Sequence, residues 1–181
     1  MDVRKAIETR RAYRSLDPVE IDRATIEDLA RCAILAPSCF NNQPERFDFV
    51  IGETLGKLKE ALSKGNAWAR DASMIIAVHA TLEDDCQVKE RQYFLFDTGM
   101  ATAMLILRAT ELGLVAHPIA GFDETVARGV LDIPQAARVI TLIIVGRHAG
   151  TIRPSLSEKQ AAAEGERPER LGFDEYARIF D

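Results

Sequence analysis

The chain reads as an α+β domain: a mixed central sheet flanked by helices, with one long buried helix at its centre. Three observations predict this. Residues 73–80 and 139–145 are almost continuously apolar, as strands covered on both faces are. Residues 92–114 carry Met100, Met104, Leu105, Leu107 and Leu112 around nearly the whole circumference of a helix that Gly113 ends. Helices come first and then alternate with strands, an order that suits helices packed around a sheet.

Each element has its own signal. Val3, Ala6 and Ile7 stand at helical spacing and give a short first helix before the turn at Asp17-Pro18. In the second helix Thr25 and Asp28 resemble a capping box. Ile26, Leu29, Ala30, Ala33 and Ile34 then mark one buried face until Pro37 closes it. A polar loop over residues 38–43 leads to a strand over 47–51 and to a helix marked by Leu55, Leu58 and Leu62. After the central helix come a strand over 115–119 and a short helix over 123–131. Residues 151–181 form a C-terminal extension, largely polar and with little periodicity, that ends in Phe173, Tyr176 and Phe180. No repeat or linker divides the chain, so residues 1–181 read as one domain.

Composition narrows the function. With 181 residues, 47% of them hydrophobic and 28% charged, the chain has the make-up of a globular domain. It should bury roughly 70% of the surface its unfolded form exposes, without needing staples. Lys plus Arg number 23 against 28 Asp plus Glu, and the net charge of -5 argues against nucleic acid or an anionic membrane as partner. There is no apolar stretch of transmembrane length and no signal-peptide core near Met1. Cys32, Cys39 and Cys86 are odd in number and stand in no metal-ligand spacing, so the expectation is a reducing, cytoplasmic setting and no metal centre. His79, His117 and His148 lie in separate segments and read as packed or surface imidazoles. Glycine-rich dinucleotide and P-loop motifs are absent, as is a hydrolase elbow.

Three segments carry chemistry. Arg10, Arg11 and Arg14 concentrate positive charge in an acidic chain; guanidinium forks suit phosphate oxygens, and a solvated basic turn has the same composition. Between Pro37 and Pro44 lie Ser38, Cys39, Phe40, Asn41, Asn42 and Gln43, whose polar groups suit the pyrimidine edge of a ring cofactor or the capping of a loop. His117-Pro118-Ile119-Ala120-Gly121 sits where a strand meets a helix, and Gly121 permits close approach of a planar ligand or an ordinary turn.

Taken in order, Arg10-Arg11-Ala12-Tyr13-Arg14, residues 36–44, Asp97-x-Gly99, Leu112-Gly113-Leu114, residues 118–123 and Val145-Gly146 resemble the nitroreductase family of FMN-dependent oxidoreductases over about residues 2–150. The resemblance implies a homodimer with FMN bound at the subunit interface and NAD(P)H as electron donor. Hydride would pass through flavin N5, by a ping-pong mechanism, to a small electron-poor acceptor such as a nitroaromatic or a quinone. It assigns cofactor contacts to Arg10, Arg11, Ala12 and Arg14, with the first arginines at the phosphate and Arg14 toward the ring's pyrimidine side. Pro37, Ser38, Cys39 and Asn41 reach the flavin of the other subunit, and Pro118, Ile119, Ala120 and Gly121 lie along the ring. Asn66 resembles a further contact, and Arg147 or Arg153 the late basic phosphate ligand. No side chain is nominated as a general acid or base. Ala12, Glu45 and Ala120 depart from the family's frequent Ser, Trp and Glu, which leaves a flavin-sequestering protein or a flavin-fragmenting or dehalogenating enzyme as alternatives.

Overall fold

In a computed structural model that describes residues 1–180, the elements are α1 (Val3–Thr9), β1 (Leu16–Asp17), α2 (Arg23–Ile34), β2 (Arg46–Val50), α3 (Gly52–Leu58), β3 (Met74–Thr81), β4 (Gln87–Val88) and β5 (Arg91–Gln92). They continue with α4 (Tyr93–Glu111), β6 (Val115–Ile119), α5 (Glu124–Leu131), β7 (Ala137–His148), α6 (Glu158–Gly165) and α7 (Phe173–Tyr176). The α+β sandwich expected from the element order is present. The sheet runs β2-β3-β7, and the far edge of β7 pairs with β6 and then, end to end, with β1. Every pairing is antiparallel, so the expected mixed sheet has no parallel pair among the described residues.

Alternation along the two central strands divides the core. Ile75 and Ala77 of β3, with Leu142 and Ile144 of β7, face a layer built from α3, α5 and Trp68. Met74, Ile76 and Val78, with Ile143 and Val145, face Leu29 and Ala33 of α2 and Ala101, Leu105 and Ala109 of α4. Period-two side chains buried on both faces explain why these strands read as continuous apolar runs. Pro118 lies in β6, whose outer edge is unpaired among the described residues, so an edge position accommodates its missing N–H.

Three expectations change. The N-cap of α2 is Asp22, whose carboxylate accepts from Thr25 N at 2.7 Å, so Thr25 sits inside the first turn. Helix α4 is central but not buried all round: Leu95, Phe96 and Met104 are exposed on one face. The extension beyond residue 150 contains α6, started by a capping box in which Gln160 N donates to the Ser157 hydroxyl and Ser157 N to the Gln160 side chain. That Ser-x-x-Gln signal is legible in the sequence. No helix among the described residues is long and apolar enough to cross a membrane.

Candidate functional site

The chain leaves α1 at Arg10 and runs without regular structure to β1, and here Arg10, Arg11, Ala12 and Arg14 come together. They line a cavity of about 160 Å³ whose remaining wall is Ala163, Arg167, Pro168 and Arg170. Among the described residues none of these five arginines pairs with a carboxylate, whereas Arg4, Arg23, Arg70, Arg108, Arg128 and Arg153 each do. Burial, and then the charges of Arg167, Arg170 and Arg11, hold the Arg10 guanidinium below its ordinary pKa. A half-buried concentration of unneutralised positive charge is suited to an anion, and the cavity has room for a phosphate group.

Helix α6 builds this wall from the other end of the chain. Buried Glu164 accepts from the backbone N–H of Arg14 at 2.8 Å and of Ser15 at 3.1 Å, fixing the arginine segment through a carboxylate that the sequence reading did not single out. Arg11 donates to the carbonyls of Ala163 and Glu166 at 3.0 and 2.9 Å. Its guanidinium is thus committed to the end of α6, and it also lies over the Tyr13 ring.

A chain of contacts joins the arginines to the end of β6. The Arg14 guanidinium lies 5.9 Å from the centre of the Trp68 ring. Trp68 Nε1 donates to Asn66 Oδ1 at 3.2 Å, and Asn66 Nδ2 donates to the Gly121 carbonyl at 2.9 Å. Asn66 therefore ties Trp68 to the turn, one end of its amide bonded to each. A Cβ on Gly121 would fall 2.6 Å from Asn66 Nδ2 and 2.7 Å from Ser63 Oγ, so a larger residue there would have to displace both side chains. Beside this turn Pro118 and Ala120 are exposed and Ile119 is buried. His117 stacks on Trp68 at 4.8 Å and is buried, which pushes its pKa down to about 4. With Tyr13 O 3.1 Å from Nδ1, the neutral ring carries its proton on that nitrogen.

Pro37, Ser38, Cys39 and Asn41 do not line the arginine cavity. They form a separate loop in which Phe40, Asn41 and Gln43 all have positive φ, at 49°, 59° and 51°. Cys39 N donates to Asp97 Oδ2 at 2.6 Å, and Gln43 N to the Ser38 hydroxyl at 2.9 Å. Cys39 is also disulfide-bonded to Cys86, a pairing the sequence reading did not foresee and one at odds with the redox setting it expected. Only Cys32 is free. Behind the loop lie buried Glu45, Asp85 and Asp97; burial raises the carboxyl pKa of Glu45 and of Asp97, and Asp85 adds to both shifts.

The two arginines expected as late phosphate ligands lie elsewhere. Arg147 is exposed on β7, in register with Asp17. Arg153 bonds the Leu16 carbonyl at 3.0 Å and pairs with Asp17. Neither lines the cavity, where Arg167 and Arg170 stand instead.

The sequence matches the nitroreductase family over residues 7–67 and 53–147. An uncharacterised 15.4 kDa protein of Mycolicibacterium smegmatis is 34% identical over 126 residues, spanning 69% of this chain and 82% of that protein. A Thermus thermophilus NADH dehydrogenase is 23% identical over 186 residues, spanning 86% of this chain and 91% of its own. A crystallised oxidoreductase containing FMN superposes with a TM-score of 0.83 at 25% identity, over 98% of this chain and 90% of that one. The matched residues take in the arginine segment, the disulfide-bonded loop and the Gly121 turn. By its sequence and by the way its sheet and helices hold those three segments, the chain belongs to the nitroreductase family.

Proposed function

We propose that this protein is an FMN-dependent NAD(P)H oxidoreductase, acting as a homodimer on small electron-poor acceptors such as quinones or nitroaromatics. The observation that carries the reading is the carboxylate-free cavity of Arg10, Arg11 and Arg14, joined through Trp68 and Asn66 to the exposed turn at 118–121. One end suits a phosphate and the other a flat ring. The FMN held by a similar solved oxidoreductase and the dehydrogenase activity named for the Thermus relative support the same reading.

Arg10 would hold the phosphate by charge-assisted bonds. Arg11 would act mainly by anchoring α6. Arg14, stacked over Trp68, would bring positive charge toward the pyrimidine edge, where it favours negative charge on a reduced ring. Pro118, Ala120 and the Gly121 turn would line the ring without offering a titratable group, since His117 is buried beneath them and neutral. When bound, FMN supplies the two-electron relay between donor and acceptor. The loop at 37–41 lies outside the arginine cavity and would serve the site of a second copy. Donor and acceptor would use one open face in turn, giving parallel double-reciprocal plots.

Mass spectrometry of flavin released from the purified protein, with anaerobic addition of NADH or NADPH, tests the reading. Release of FMN and bleaching of the yellow colour are expected. Release of FAD, or a colourless protein that takes up no FMN, would overturn it, and a bound flavin that neither nucleotide bleaches would favour sequestration. Arg10→Ala should weaken FMN roughly tenfold or more and riboflavin little, because riboflavin has no phosphate for a charge-assisted bond.

A further inference from the structure

The loop before β2 and the segment after β3 meet because the two strands are antiparallel. Arg46, at the start of β2, is in register with His79, near the end of β3, so both segments leave the sheet at one corner. Cys39 arrives there from one side, Asp85 and Cys86 from the other. One ligand atom from each of these three residues lies within 4.8 Å of the other two. The cysteines are 47 positions apart, far outside the short spacings of a zinc motif, so only the fold brings the cluster together.

The cluster has the donor chemistry that suits a soft divalent cation. Asp85 is buried, with 8% of its surface exposed, and its Oδ2 has no hydrogen-bond partner among the described residues. Its Oδ1 accepts from Asn42 Nδ2 at 3.2 Å, and the same nitrogen lies 3.6 Å from Cys86 Sγ. The Asn42 amide thus sets the Asp85 carboxylate beside the sulfur. Glu45 and Asp97 are buried behind the same loop, and among the described residues none of the three carboxylates pairs with a Lys, Arg or His. A buried carboxylate oxygen left without a partner costs free energy that bonding to a cation would offset.

While the disulfide stands, its sulfurs are poor ligands, and reduction changes that. A dithiol reductant supplies two electrons and two protons: the Cys39–Cys86 bond breaks, two thiols form, and the reductant leaves as its own disulfide. Zn2+ then displaces both thiol protons to solvent and forms two Zn–S bonds. The dication offsets the two thiolate charges, so filling the site adds no negative charge to the three buried carboxylates. Two thiolates with a carboxylate favour zinc over magnesium or calcium. Ligands about 2.0–2.3 Å from a tetrahedral ion stand roughly 3.5–4 Å from one another, and the three side chains already lie near that spacing.

We propose that Cys39, Cys86 and Asp85 form a zinc site that opens when the disulfide is reduced, with solvent in the fourth position, so that the loop stays cross-linked in both redox states. The site rests on this corner of the sheet and is independent of the flavin reading.

The test uses the full-length protein, reduced with a dithiol and desalted anaerobically, beside the same protein oxidised to the disulfide. Each is titrated with Zn2+ against a chromophoric chelator, and with Co2+ followed by thiolate charge-transfer absorption. The reduced protein should take one Zn2+ per chain and release two protons, and the oxidised protein should take none. Zinc should raise the urea midpoint of the reduced protein. It should also shield Cys39 and Cys86, but not Cys32, from alkylation read by mass spectrometry. Cys32→Ser should bind zinc as the parent does, while Cys39→Ser and Cys86→Ser should each lose tight binding. Asp85→Asn should weaken zinc at least about tenfold and still form the disulfide on oxidation, which separates loss of a ligand from failure to fold. If the reduced and oxidised proteins bind zinc alike, or zinc leaves alkylation of Cys39 and Cys86 unchanged, the site is refuted. If Asp85→Asn binds zinc as tightly as the parent, the carboxylate is no ligand and the proposed site is overturned.

Discussion

At the residue scale, His117 shows how burial rewrites chemistry. In the unfolded chain it titrates near the ordinary histidine value of about 6.5, and in the fold near 4, because charging it would bury a cation against Trp68. Its folded pKa is depressed, so the unfolded chain takes up the proton first. The neutral ring's contribution is fully present above pH 6.5 and is lost as pH falls toward 4. Denaturant titration should find the protein about 2 kcal/mol less stable at pH 5 than at pH 7 from this group alone. Glu45 and Asp97, whose carboxyls are raised, act in the opposite sense, so the comparison to make is with His117→Asn, which should flatten the profile. Gly121 is the second informative residue. Gly121→Ala puts a methyl 2.6 Å from Asn66 Nδ2 and should cost about 1–3 kcal/mol. Trp68, the single tryptophan, bonds Asn66 and would report the displacement as a shift in its emission; an unchanged spectrum and melting temperature would mean that Asn66 is not held as described.

At the scale of elements, the loop from Pro37 to Pro44 is held against its own backbone preferences. Three non-glycine residues in the left-handed region cost free energy, and Phe40 is 93% exposed, so its ring offsets none of that cost by burial in the monomer. Two external ties hold the loop: the Cys39–Cys86 disulfide and the bond from Cys39 N to Asp97 on α4. The disulfide closes 47 residues of separation, and for a loop of that size cross-linking stabilises by about 2–4 kcal/mol. A reductant should lower the urea midpoint correspondingly, and the Cys39→Ser/Cys86→Ser double variant should match the reduced protein and ignore the reductant. Equal midpoints with and without reductant would mean that the two thiols are not joined in the folded protein.

At the scale of the whole molecule, the helical layer carrying α1, α2 and α4 is unfinished. Val3, Leu35, Leu95, Phe96 and Met104 are exposed on it, and a groove of about 440 Å³ opens between Met1, Val3, Ala6, Leu35, Met104 and Leu107. Apolar surface gathered on one side of a protein marks an interaction face, and the homodimer proposed above would seat a second copy there. Sedimentation should show a dimer, and Phe96→Glu should yield monomers that lose flavin. A monomeric wild type with full flavin occupancy would exclude the shared site.

The sequence by itself determined the sheet and the order of the helices, and it singled out the arginine segment that the fold places in a cavity. Apolar periodicity is a local pattern, and residues 73–80, 139–145 and 115–119 are strands in the structure within one to three residues of those limits. The arginines at 10, 11 and 14 were legible because three like charges in five residues need a counter-charge. Other relations had no local signal. Arg167 and Arg170 lie more than 150 positions from Arg10 and belong to a stretch without periodicity, so only the return of α6 to the N-terminal segment, pinned by Glu164, shows that they line one cavity. Arg153, which the resemblance offers as a phosphate ligand, is taken by Asp17, a residue that the register of β1 on β7 positions. Cysteine partners and the exposed face of α4 were equally out of reach. Composition records how apolar or charged a segment is, while the neighbour each side chain meets depends on contacts between distant parts of the chain that form together on folding.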